Sequence, residues 1–95
     1  MIVGKLAKEI GTGFVFAEVP ELNIDRVIKL YGNMTDNHDE SHMMLPIPLN
    51  QPGGLSGAMN MVYNIKEKAI KYHLLNNVGY FSGCTAYVVI EYTKK

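Results

Sequence analysis

The sequence predicts an α+β domain spanning 1–95: a small, mostly antiparallel sheet of about four strands with one short and one long helix packed on one face. Three observations lead there. Segments rich in β-formers stand near both ends, Phe14–Val19 and Thr85–Tyr92. Apolar residues recur at helical spacing in 24–31 and again in 58–72. Gly, Pro and Asn break the chain between these stretches. A length of 95 residues with 47% apolar content suits one globular domain able to bury a core.

Ile2–Leu6 reads as a short first strand and Phe14–Val19 as a second, with Gly11-Thr-Gly13 as the hairpin connection between them. Phe14 and Phe16 point one way, and Val15, Ala17 and Val19 the other. Both faces are apolar, so the strand is expected to be covered on two sides. Pro20 ends it, having no N–H for a ladder. Asn23 then suits the N-cap of a short helix whose apolar face is Ile24, Val27, Ile28 and Tyr31, with Gly32 as its C-terminal stop. Residues 33–42 are almost wholly polar and read as an acidic loop. In 43–49, Pro46 and Pro48 forbid a central strand or a helix interior, which leaves an edge strand or an extended segment.

Gln51-Pro-Gly-Gly54 breaks the chain, and Ser56 can cap a long helix to about Asn76. Its core stripe is Ala58, Met61, Val62, Ile65, Ala69 and Tyr72; its wet face is Asn60, Asn64, Glu67, Lys68 and Lys71. A second apolar flank, Met59, Tyr63, Ile70 and Leu74, makes it more than half apolar around its circumference, too much for one packed face. The last strand again has two apolar faces, Ala86, Val88, Ile90 and Tyr92 against Tyr87 and Val89. Two helices cover one face of a sheet. The other face is expected to be covered by a second copy, so the domain is expected to be a homo-oligomer.

Charge excludes some functions. Nine Lys plus Arg balance nine Asp plus Glu, which removes the electrostatic footprint of a nucleic-acid binder. Residues 1–45 hold seven acids against four bases (−3), and 46–95 two acids against five bases (+3), an asymmetry that suits contact between copies as well as a chance scatter of solvated charges. No apolar run approaches a membrane span, and the chain reads without a signal peptide. The single cysteine, Cys84, excludes an intramolecular disulfide framework and fits a reducing, cytoplasmic setting.

Four groups of residues are candidate sites. Gly53, Gly54, Ser56 and Gly57 would stand at the N-terminus of the long helix, where free N–H groups and the helix dipole favour a phosphate or carboxylate; the plainer role is turn and cap. The spacing is not that of a P-loop. His38 and His42 are four apart among Asp36, Asp39 and Glu40, a weak metal motif without the glutamate placement of zinc proteases, and equally a solvated acidic loop. His73 and Cys84 form a conceivable nucleophile pair, set against a boundary histidine and a small buried cysteine. Tyr63, Tyr72, Tyr80, Tyr87 and Tyr92 with Lys66 and Lys71 could stack a base and hold its phosphate, or pack at a subunit boundary.

The functional expectation is a non-enzymatic, homo-oligomeric module binding a small phosphate- or nucleotide-like anion through Gly53, Gly54, Ser56, Gly57, Tyr63 and Lys66. No cofactor is indicated. The alternatives are a regulatory protein-interaction module using the 33–42 loop and the 43–49 segment, and a small enzyme whose site is shared between subunits.

Overall fold

Two antiparallel sheets face each other, and the helices that the sequence predicts are absent. The computed structural model describes residues 1–9, 11–35, 44–47, 59–74 and 83–95, with Leu45 described by its backbone alone. The strands are β1 (Ile2–Lys5), β2 (Gly11–Glu18), β3 (Ile24–Thr35), β4 (Met44–Ile47), β5 (Met59–Asn64), β6 (Ala69–Leu74) and β7 (Thr85–Lys94), with one 3-10 turn at Pro20–Leu22. One sheet runs β1-β7-β3-β4 and the other β2-β6-β5. Among the described residues no helix reaches seven residues, and none is long and apolar enough to cross a membrane.

The short helix expected after Asn23 is the long strand β3. Two β-bulges explain why it resembles a helix. Against β7, Ile24 and Arg26 oppose the consecutive residues Lys94 and Thr93, and Val27 and Lys29 oppose Tyr92 and Glu91. Each bulge adds one residue to β3. Ile24, Val27 and Leu30 therefore turn inward three residues apart, a helical interval, before strict alternation resumes through Gly32 to Met34. Asn23 is not an N-cap: it adopts a left-handed backbone (φ 53°, ψ 53°) that closes the 3-10 turn, its N–H donating to the Pro20 carbonyl at 3.3 Å. Gly32 is not a helix stop but lies mid-strand. Of the polar loop expected over 33–42, Asn33–Thr35 belong to β3, with Met34 wholly buried, and 36–42 lie outside the described residues.

The predicted long helix is a β-hairpin. Met59, Met61 and Tyr63 face Leu74, Tyr72 and Ile70 in register. The two inward sets lie eleven residues apart, close to three helical turns, so a hairpin core imitates a helical stripe. Four of those six residues, Met59, Tyr63, Ile70 and Leu74, form the surplus apolar flank that a single helix could not accommodate. The turn has its own chemistry: the Asn64 side-chain oxygen accepts the Glu67 N–H at 2.9 Å, and Lys68 takes a left-handed φ of 53°. Glu67 and Lys71, an apparent helix-face pair, form an ion pair of 2.9 Å between the turn and β6.

At the other elements, Met44–Ile47 is, among the described residues, an edge strand paired with β3, as Pro46 favours, and the last strand extends to Lys94. Gly11–Gly13 does not make a hairpin. β1 pairs with β7 and β2 with β6, and Gly13 (φ 74°) lies in a bulge of β2. A second bulge at Phe16 turns Ala17 inward beside Phe14 and Phe16 and leaves Val15 exposed, so β2 is covered on one side only.

The core fills the space between the sheets. Met34, Ile47, Ala86 and Val88 from the first meet Met59, Met61, Ile70, Tyr72 and Leu74 from the second, with Leu6 at the corner. Tyr72 is the polar member. Its ring packs on Phe14 and Phe16, at centroid distances of 5.4 and 6.1 Å, and its hydroxyl accepts the Ala7 N–H at 2.7 Å. Tyr72→Phe orphans that N–H and is expected to cost about 1–2 kcal/mol in urea denaturation. Burial raises the Tyr72 pKa above 10.0, opposed by the Ala7 hydrogen bond. The folded state therefore keeps the proton after the unfolded state has lost it. Stability falls as pH rises above about 10, and Tyr72→Phe is expected to flatten that decline.

Candidate functional site

β3 and β5 are the strands that leave room for a ligand. β4 pairs with β3 only from Gly32 onward, so among the described residues Ile24–Tyr31 is a free edge of one sheet, while β5 is a free edge of the other. The bulges on β3, with Asp25, Arg26 and Lys29, protect that edge from simple strand addition. Between the two edges opens a cleft of about 450 Å³. That lies within the ~300–1,000 Å³ usual for small-molecule sites.

Both layers wall this cleft. Val27 and Leu30 come from the inward face of β3, Met61 and Tyr63 from β5, and the exposed Val62 and Ile65 complete the far lip. Asp25 and Arg26 supply its charge. Both are exposed, and among the described residues neither side chain makes an ion pair or hydrogen bond. Tyr63 and Ile65 also wall a second, much smaller hollow of about 20 Å³ with Pro20, Asn23, Ile24, Lys68 and Lys95. Backbone hydrogen bonds hold its floor: Val19 N–H to the Lys68 carbonyl at 2.8 Å and Lys95 N–H to the Asn23 carbonyl at 3.0 Å.

A second feature is the outer face of the four-stranded sheet. Val3, Tyr87 and Asn33 form one cross-strand row, and Val89 with Tyr31 the next. Val3, Tyr31 and Tyr87 are 57%, 41% and 38% exposed. The Tyr31 hydroxyl donates to the Glu91 carboxylate at 2.9 Å, and that hydrogen bond, with the charge behind it, raises the phenol pKa.

Of the described residues among those proposed from sequence, only Tyr63 lines the cleft. Lys66 stands exposed in the 65–68 turn and lines neither hollow. Gly53, Gly54, Ser56, Gly57, His38, His42 and Tyr80 lie outside the described residues. The helix whose N-terminus was to hold an anion is absent, because its expected span contains β5 and β6. His73 alternates with the buried Tyr72 and Leu74 and so faces outward from the three-stranded sheet, whereas Cys84 packs on the core between the sheets. The sheet separates the pair. Among the described residues no group of three or more His, Cys, Asp or Glu is placed to hold a metal ion.

The cleft residues missed from sequence are Asp25, Arg26, Val27, Leu30, Met61, Val62 and Ile65. The usable signal was the three-residue spacing of Ile24, Val27 and Leu30, which a twice-bulged strand produces as well as a helix, and bulges are common beside binding sites. Comparison with known proteins finds no matching family, no matching curated protein and no matching solved structure.

Proposed function

We propose that this chain is a non-catalytic binding module that holds a small ligand between its two sheets and works as an assembly of identical copies. The observation that carries the reading is the cleft between β3 and β5, walled by apolar side chains from both layers. Self-assembly is favoured by a separate observation. The inner face of the four-stranded sheet is covered by the other sheet, yet Val3, Tyr31 and Tyr87 remain exposed on its outer face. Apolar rows of that kind suit a symmetric contact with a second copy.

Native mass spectrometry with the apolar probe 1-anilinonaphthalene-8-sulfonate tests both parts. The expected result is a multiple of the protomer mass with one probe per protomer, and reversion to single protomers for Tyr87→Lys. A protomer that binds the probe removes the assembly, and an assembly that takes no probe removes the ligand site.

A further inference from the structure

We infer that the cleft takes a free amphipathic monoanion, an alkyl or aryl chain ending in one carboxylate, with the chain between the sheets and the head group on Arg26. The inference rests on the ligand site proposed above and names its chemistry. Three observations carry it. Val27, Leu30, Met61 and Tyr63 make the interior apolar, and Ile65 extends that surface out of the fold at 77% exposure. An isoleucine so placed gains from a ligand that covers it.

The second observation is charge. Three basic side chains, Arg26, Lys68 and Lys95, and one acidic side chain, Asp25, line the two hollows that share Tyr63 and Ile65. Arg26 has no partner among the described residues, and a planar guanidinium binds a carboxylate through two parallel hydrogen bonds. Lys68 and Lys95 add attraction across the Tyr63–Ile65 wall, and Asp25 opposes it. The third observation is size. A chain of eight carbons, each taking roughly the ~30 Å³ of a water molecule, occupies about 240 Å³, which the 450 Å³ cleft accommodates with its head group.

The test titrates the full chain with octanoate and with octan-1-ol, following backbone amides by NMR and affinity by calorimetry. Octanoate is expected to bind about fivefold more tightly than the alcohol, the upper end for a solvent-exposed charge pair, and to shift the amides of Val27, Leu30, Met61 and Tyr63. Arg26→Gln is expected to remove that advantage, bringing octanoate and octan-1-ol to equal affinity, while Asp25→Asn raises octanoate affinity about twofold. Both positions are exposed, so the variants keep the fold, which their own spectra verify. Equal affinity for acid and alcohol overturns the anion assignment and leaves the cleft as an apolar site. Absence of shifts with either compound overturns the assignment and the ligand site together. Co-sedimentation with phosphatidylglycerol vesicles, without binding of free octanoate, places the recognition at a lipid surface and likewise overturns the proposal.

Discussion

Among the described glycines, Gly32→Ala is expected to be the most damaging alanine substitution. Gly32 sits in the middle of β3, paired with Val88 of β7 on one side and with Ile47 of β4 on the other. A Cβ at this position would run into the carbonyl oxygen of Tyr87 and stand 3.0 Å from the Val88 Cα. The obstructing atoms are backbone, so no rotamer change relieves the clash. The strands must separate, in the sheet that contributes Met34, Ala86 and Val88 to the core. Overpacking of this kind costs about 3 kcal/mol, which for a domain of this size lowers the melting temperature by more than about 10 °C. Calorimetry at fixed protein concentration measures it. A variant melting within about 2 °C of the parent would contradict the close approach of β3 and β7.

The second large effect separates hairpin from helix. Ile70 is wholly buried between the sheets, whereas Val62 is 56% exposed and Ile65 77%. On the helical reading the order is reversed, with Val62 and Ile65 on the core stripe and Ile70 on the flank. Ile70→Ala leaves a cavity in the core between its cross-strand partners Tyr63 and Ala17 and is expected to cost about 2–5 kcal/mol. Val62→Thr and Ile65→Thr keep β-branching and are expected to change stability by no more than about 0.5 kcal/mol. Urea midpoints at unchanged slope give the comparison. Large losses at 62 and 65 with a small one at 70 would refute the hairpin. Because both exposed residues line the cleft, their threonine variants should weaken ligand binding even where stability holds.

The terminal strand and the proline-containing edge strand were legible because their signals are local. A run of β-formers in 85–92 and a proline in 44–47 each restrict the backbone without reference to the rest of the chain. The hairpin was half legible. An apolar flank on Met59, Tyr63, Ile70 and Leu74 has no place on a singly packed helix, and Asn64 with two apolar runs on either side of a charged turn is a hairpin signal. What misled is arithmetic: inward sets eleven residues apart coincide with three turns of helix. At β3 the confusion is deeper, since bulges opposite Lys94–Thr93 and Tyr92–Glu91 exist only once β7 lies alongside.

The candidate site was legible only in Tyr63, and for the same reason. Val27 and Leu30 reach the cleft because two bulges restore them to the inner face, and Met61 meets them because β5 stands at an open edge. No spacing within a single segment reports that two edges from different sheets face each other.

By itself, the sequence determined which segments are apolar on both sides and that the charge is balanced. These follow from single-residue chemistry: charges are counted residue by residue, and apolar side chains avoid water. Tertiary structure decided that 24–35 and 59–74 are strands rather than helices. A periodic apolar pattern satisfies either conformation locally, and the choice goes to whichever lets distant segments bury it together. β3 finds its hydrogen-bond partners in β7, fifty to seventy residues further along the chain, and there the bulges, the free edges and the cleft all arise.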